Sequence, residues 1–305
     1  MGEDVGPFHE GELAMQRATG QRAVGEANSR IIADCIVPAA VGFIARQSLA
    51  VVSSIDAGGR PWSTALVGPA GSFAALDLGR VALDRAAGRP DDPLWSNLRE
   101  DSRAAVLFLE VGSRKRYRVN GRVADPDGDP VVVEVGEAFG NCPRYITRRH
   151  LVVDSADGDG SAGEAIAGVR LGDSERRIIA AADMMFVASA NPAGLLDASH
   201  RGGRPGFVEL RHDRLWIPDY PGNGLFNTLG NLRLYPPAGL LFVDFASSLS
   251  LQLTGVADLD LAAGDAGGRT GGTGRAWTFT PTAWRRAPLP HRVRADQAEL
   301  SPHSP

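Results

Sequence analysis

The chain has 305 residues, 43% of them apolar and 22% charged, with a formal net charge of −4. This is a globular composition for about two ordinary domains, and it excludes a nonspecific nucleic-acid surface, which needs a basic excess to neutralise phosphates. No apolar run reaches the ~18 residues of a membrane span, and the opening Met1-Gly2-Glu3-Asp4 lacks the basic-then-apolar pattern of a secretion signal. Cys35 and Cys142, the two cysteines, make no disulfide framework, so the cytoplasm is the expected compartment. Lys115 is the sole lysine, which leaves almost no lysine chemistry.

Residues 10–27 carry Leu13, Ala14, Arg17 and Ala18 at helical spacings. A second helical stretch covers 29–43, kinked or restarted at Pro38. The pattern then turns to strands. Residues 49–55 are β-rich and stop at the turn Asp56-Ala57-Gly58-Gly59; strands over 61–67, 72–76 and 80–83 follow. A short helix over 94–99 precedes strands at 104–111 and 116–123. Residues 131–135 lead into 136–146, expected to be partly helical, with Pro143 at an early helical position. The Gly-, Asp- and Ser-rich stretch 154–163 reads as an exposed link. A helix over 173–182, opened by Asp173 or Ser174, delivers a second strand series at 183–189, 206–211, 215–218, 239–245 and 248–257. Residues 264–274 read as a flexible Gly-rich insertion, and the chain from 287 onward as loosely held.

The second series repeats the first about 134 positions later. Gly68, Phe73, Asn97, Leu98, Leu107, Phe108 and Gly121 recur as Gly202, Phe207, Asn231, Leu232, Leu241, Phe242 and Gly255. Small, turn-forming and core residues recur, so a backbone plan is repeated rather than a surface. Short strands with one short helical crossing fit a small closed barrel; there is no β-α-β rhythm and no GxxxxGK[ST]. The expected organisation is a helical segment at 1–45, a first barrel with an extension at 46–153, a link and helix at 154–182, a second barrel at 183–285 and a loose tail at 286–305. A cleft between two such barrels is a natural ligand site.

Two polar clusters fall in the second copy. Ser199-His200-Arg201-Gly202-Gly203-Arg204 offers guanidinium forks suited to phosphate, glycines that permit close backbone approach, and an imidazole donor; a solvated hairpin is the plainer reading. Asp219, Tyr220, Asn223, Asn227, Thr228 and Asn231 offer neutral hydrogen bonds to a heteroaromatic ring or to phosphate, or simply a turn and a helix cap. Gln252 occupies the position of Arg118 in the first copy, where Arg114, Arg116 and Arg118 alternate onto one strand face. Those arginines are met by an anion, by acidic side chains or by water. Cys142 has no CxxC or Cys-His spacing, so a packed, inert thiol is its plainer reading, and His150 and His200 are too scattered for zinc. Asp197, Ser199 and His200 lack a nucleophile elbow, and no general acid or base stands out.

At these segments the chain resembles the pyridoxamine 5'-phosphate oxidase-like superfamily of FMN-binding split barrels, and within it an uncharacterised bacterial group. The matching stretches include Phe8-His9-Glu10-Gly11-Glu12, Gly59-Arg60-Pro61-Trp62, Asn141-Cys142-Pro143-Arg144-Tyr145-Ile146, Ser199 to Phe207 and Pro218 to Asn231. The resemblance implies a mainly β fold of tandem split barrels forming an internal pseudo-dimer, with FMN in a groove between them. It implies hydride or electron transfer with a small-molecule substrate, no membrane or nucleic-acid partner, and a possible second association into a homodimer. Under it, Ser199, His200, Arg201, Arg204, Asn223, Asn227 and Thr228 lie near phosphate; Tyr220, Asn231 or Gln252 contacts the ring or ribityl chain; Arg116 or Arg118 faces substrate; and Asp219 completes the cofactor-binding set. Asn227 and Thr228 stand where the oxidase has an Arg-Lys pair, which argues against vitamin B6 oxidation itself. Alternatives are a flavin or haem binder without turnover, an F420-dependent reductase, and a structural duplicate that binds nothing.

Overall fold

Strands β1 (Leu49–Ile55) and β2 (Pro61–Val67) are buried along their whole length. An antiparallel strand usually leaves one face to solvent, so something must cover each face here. In β1 the alternation sorts the covers: Ala50 and Val52 point into one core, whereas Leu49, Val51 and Ile55 point into another. The first core is the interior of a barrel. The second is shared with Met184, Phe186, Leu196, Ala198 and Leu241, which belong to the other half of the chain.

The computed structural model describes residues 7–154, 163–192, 194–296 and 298–305. The expected link at 154–163 therefore lies, apart from its two ends, outside the described residues. The first sheet adds β3 (Phe73–Asp77), β4 (Arg80–Leu83), β5 (Arg103–Glu110), β6 (Lys115–Val123) and β7 (Val131–Asn141), in the order β2-β1-β5-β6-β7-β4-β3. Between the two large sheets come β8 (Leu151–Val153) and β9 (Ile166–Gly168). The second sheet contains β10 (Met184–Ala190), β11 (Leu196–Gly202), β12 (Glu209–Arg211), β13 (Arg214–Pro218), β14 (Pro237–Asp244), β15 (Leu249–Asp260) and β16 (Ala276–Pro288). Its order, β11-β10-β14-β15-β16-β13-β12, is the same path, and β9 joins at β16. The fold is mainly β, a tandem of split barrels. Three helices precede them, α1 (Glu10–Ala18), α2 (Arg22–Ser29) and α3 (Pro38–Ala45). One helix crosses each barrel, α4 (Pro93–Glu100) and α6 (Asn227–Leu234), while α5 (Asp173–Ala181) leads into the second.

The spacing of the duplication is 134 for the crossing helices, from Pro93 to Asn227, and for β5 and β14, from Arg103 to Pro237. It is 135 for β1 and β10, from Leu49 to Met184, and for β2 and β11, from Pro61 to Leu196. The extra residue of the first copy's hairpin is absorbed by a bulge between Ala75 and Asp77, where Leu76 stands out into solvent. Two of the seven repeated pairs therefore shift by one. Gly202 faces Met184 as Val67 faces Leu49, so its counterpart is Val67 rather than Gly68, and the Phe73–Phe207 pair moves likewise. The others have structural causes. Asn97 donates to Ser54 Oγ and Asn231 to Ser189 Oγ, each at 3.0 Å, tying helix to barrel in both copies. Gly121 and Gly255 mark the same bulge, where a Cβ would meet the carbonyl oxygen of Glu134 or Thr280.

Several expected elements are corrected. The helix over 10–27 is two helices, broken at Gly20 with φ 67°. The stretch 29–43 is helical only from Pro38, which occupies the first turn where its missing N–H is harmless. Residues 136–146 form no helix: β7 continues to Asn141, and Cys142 and Pro143 lie in the turn beyond it. Strands β11 and β16 were not expected. The Gly-rich stretch 264–274 folds around Asp265, whose carboxylate accepts from Thr270 N and Gly272 N. The tail is not loose: β17 (Val293–Ala295) pairs with β8, and Ser301 is buried.

The barrels approach most closely where β14 crosses β2. A Cβ at Gly239 would lie 2.7 Å from the Pro61 carbonyl oxygen and 2.8 Å from Trp62 Cα, both backbone atoms. Gly239→Ala should thus lower stability by roughly 1–3 kcal/mol by forcing the barrels apart. Gly140→Ala, with open space at its Cβ, should leave the urea midpoint unchanged. Equal midpoints for the two variants would contradict this account of the interface.

Candidate functional site

Strand β6 of the first barrel and strand β11 of the second meet across the interface and carry polar residues into it. Asp197, Ser199 and Arg201 alternate onto one face of β11, and Arg116 and Arg118 onto one face of β6. Arg118 and Asp197, both almost wholly buried, form an ion pair from barrel to barrel. Arg118 Nη2 also donates to Ser199 Oγ at 2.9 Å, and Ser199 Oγ donates to Asp197 Oδ2 at 2.7 Å. Thr228 Oγ1 reaches the same carboxylate at 3.3 Å, and Asn227 Oδ1 accepts from Arg118 Nη1 at 3.3 Å.

Outside this knot opens a groove. Arg116, Arg118, Ser199, His200, Arg201, Asp219, Tyr220, Asn223, Asn227 and Thr228 all line it. Thirteen site residues were expected from the sequence, and ten of them come together here. Arg204 does not: it is exposed and donates to the Pro305 carbonyl oxygen at 3.2 Å, because the chain turns away at Gly203. Asn231 does not, being the helix-to-barrel tie already described. Gln252 lies in the pseudo-equivalent, buried cluster between the barrels, donating to Thr64 and Asp92. Arg114 also leaves the stripe, since its left-handed backbone turns it to Ile146 and Glu299.

The roles within the groove also differ from expectation. The side chains of Asn227 and Thr228 are engaged by Glu12, Arg118 and Asp197, so they brace the ion pair rather than face a ligand. What they offer outward is backbone. Helix α6 starts at Asn227 after Phe226, with φ 63°, and no side chain caps its first turn. Its first N–H groups therefore lack intrahelical partners and open on the groove. The glycine at 202 serves the protein: a Cβ there would strike the Tyr145 carbonyl oxygen. Residues not singled out from sequence complete the wall, namely Arg144, Tyr145 and Arg275. Tyr145 packs against Tyr220 at a 37° tilt with ring centroids 5.1 Å apart and donates to the Pro221 carbonyl oxygen at 2.9 Å. The Asn-Cys-Pro-Arg-Tyr-Ile run was the available signal for this wall.

The groove is electrostatically unbalanced. Asp197 answers Arg118 and Asp219 answers Arg275. Arg116 and Arg201 make hydrogen bonds only to the carbonyl oxygens of Cys142 and His200, and neither has a carboxylate partner among the described residues. Burial and the neighbouring Arg118 push the Arg116 guanidinium down to about 9. Burial, with Arg116 and Arg201 adding to it, holds His200 well below its ordinary value, so the imidazole is neutral. Its Nε2 and the Nε atoms of Arg116, Arg118 and Arg201 are buried without partners. Such a site fits an anion.

Behind the ion pair lies an acidic cavity lined by His9, Glu12, Asn120, Glu137, Asp197 and Asn231. Helix α1 brings Glu12 there by crossing α6 at Gly11 and Gly230, where a Cβ on Gly11 would collide with the Gly230 carbonyl. Burial raises the Glu12 carboxyl to about 7, despite hydrogen bonds from His9 N and Asn227 Nδ2. No group of three or more His, Cys, Asp or Glu side chains able to hold a metal occurs among the described residues.

Residues 36–152, which include the whole first sheet, match the family described as pyridoxamine 5'-phosphate oxidase. Among solved structures, HupZ from Group A Streptococcus is similar at 15% identity, covering 43% of this chain and 98% of its own, with a TM-score of 0.28. An F420 reductase is similar at 13% identity over 37% of this chain and 98% of its own, with a TM-score of 0.30. HutZ, a heme storage protein from Vibrio cholerae, is 10% identical over 37% of this chain and 90% of its own, with a TM-score of 0.27. No curated protein matches the chain. No helix among the described residues is long and apolar enough to cross a membrane.

Two outcomes follow from the buried charges. Asp197→Ala leaves Arg118 buried and unpaired and should lower stability by roughly 3–5 kcal/mol in urea denaturation; a loss under about 1 kcal/mol would mean the pair is not desolvated. Glu12 is raised from its ordinary 4.5 to about 7. The folded state therefore holds its proton more tightly, and stability should fall as pH rises from about 4.5 through about 7. Glu12→Gln should flatten that part of the stability–pH curve.

Proposed function

We propose that this chain, a member of the pyridoxamine 5'-phosphate oxidase-like split-barrel superfamily, holds FMN in the Arg116–Arg201 groove and uses it for hydride or electron transfer with a small organic molecule. The observation that carries the reading is the pair of arginines without carboxylate partners, set beside the uncapped start of α6. A phosphate there gains two charge-assisted contacts and the N–H groups of the first helical turn together.

FMN, when bound, supplies the redox chemistry itself, and the protein supplies position and electrostatics. Arg116 and Arg201 reach the phosphate from opposite barrels, so a bound ligand also clamps the interface. Arg118 is held by Asp197 and Ser199 and keeps its charge fixed at the groove floor. Tyr145 and Tyr220, tilted against each other, give aromatic surface against which a heteroaromatic ring can pack. Burial pushes the Tyr220 hydroxyl up to about 12, so it remains a neutral donor. His200, also neutral, can donate or accept without adding charge. None of these side chains is poised to exchange a proton near neutrality. That favours hydride or electron transfer over acid–base chemistry, and it also favours a second reading, a binding role without turnover.

Arg201→Ala and Arg116→Ala should each weaken FMN retention at least tenfold, measured by flavin absorbance after removal of excess cofactor, whereas Arg204→Ala should not. Unchanged retention in the first two would remove the phosphate from this groove. Reduction of bound flavin by a nicotinamide donor, with reoxidation by an organic acceptor, would separate the oxidoreductase from a carrier.

A further inference from the structure

Duplication gives the molecule a second position between the barrels, related to the first, and its side chains differ from those of the first. There Gln252 replaces Arg118, Thr64 replaces Ser199, and Asp92 replaces Phe226 at the start of the crossing helix, by the spacings 134, 135 and 134. One contact is retained in kind: Gln252 Nε2 donates to Thr64 Oγ1 at 2.9 Å, as Arg118 Nη2 donates to Ser199 Oγ at 2.9 Å. The new element is a carboxylate. Asp92 Oδ1 accepts from Leu94 N at 2.9 Å and from Thr64 Oγ1 at 3.0 Å, while Asp92 Oδ2 accepts from Gln252 Nε2 at 3.0 Å and from Arg285 Nη1 at 3.3 Å. The Asp92, Thr64, Gln252 and Arg285 side chains are all at least nine-tenths buried, and Gln252 Oε1 is left without a partner.

The two helix starts are thus satisfied in opposite ways. Helix α6 has no side-chain cap and opens on unanswered guanidinium groups, whereas α4 is capped by a carboxylate that a guanidinium answers. We infer that this second, buried cluster is an anion site whose ligand is built into the chain, the Asp92 carboxylate standing where a phosphate would otherwise sit. The chain then takes one phosphate-bearing ligand, not two. Four donors converge on this carboxylate (a helix N–H, a hydroxyl, an amide and a guanidinium), a set that would also suit a free oxyanion. Arg285 also meets Asp91, at 3.0 Å, which keeps its charge answered at the rim.

The one-ligand statement rests on the FMN reading of the groove; the nature of the second cluster does not, so the test has two arms. In the first, FMN is titrated into the full chain: one equivalent per chain is expected, and two would overturn the inference. No binding at all would sink the FMN reading and leave the second arm to decide. In that arm, the denaturation midpoint of Asp92→Gly is followed against inorganic phosphate and against chloride at equal ionic strength. Asp92→Gly should be destabilised and then recover saturably with phosphate by more than the parent gains, while chloride gives no such recovery. Asp92→Asn keeps the side-chain volume and the cap, so it should show no phosphate-specific recovery. If Asp92→Gly is unfolded without anions, refolding in phosphate but not chloride is the same positive result. Equal responses of Asp92→Gly and the parent, or recovery of the asparagine variant to the same extent, would overturn the proposal.

Discussion

The ion pair between Arg118 and Asp197 is the interaction on which the arrangement of the site depends. Each partner belongs to a different barrel, each is almost wholly buried, and neither could remain charged there alone. The pair therefore helps to set the register between barrels, together with the close seat of Gly239 on β2 and the Gln252–Thr64 contact. Ser199, Thr228 and Asn227 complete its hydrogen bonds, and Asn227 passes the constraint to Glu12 on the N-terminal helix. A helix outside both barrels is thus tied to the floor of the groove through a single amide.

Satisfying Arg118 from within leaves Arg116 and Arg201 without such an answer. The two faces of the knot have opposite character, basic toward the open groove and acidic toward the cavity behind it. Separating charge in this way across one strand pair makes the groove basic without a large net charge on the molecule. The whole chain carries only −4. At the duplicate position Asp92 answers Arg285.

Much of the architecture was legible in the sequence because its repeated residues answer to backbone geometry. Gly121 and Gly255 had to be glycine at a bulge, and Asn97 and Asn231 had to tie a helix to a strand. The same logic misled at the site. Asn231 recurs for a structural reason, yet it sits among polar neighbours and reads like a ligand contact. Strand β11 was obscured because its residues, Leu196-Asp197-Ala198-Ser199-His200-Arg201-Gly202, are mostly polar; the interface buries them, and no local hydrophobic pattern records that. Strand β16 carries Pro281 and follows a Gly-rich stretch, both of which signal a loop. Arg201 and Arg204 were equivalent on composition, and only the turn at Gly203 distinguishes them. The absence of helix over 136–141 reflects pairing of β7 with β6, a long-range contact that outweighs local propensity.

Joining the barrels in one polypeptide changes how the site responds to dilution. Were each barrel a separate chain, the groove would exist only to the extent that two molecules met, and its apparent affinity would fall as protein became scarce. Here encounter is intramolecular, with an effective local concentration set by the chain between them. Occupancy of the groove is then governed by ligand alone, and remains so however few copies of the protein are present.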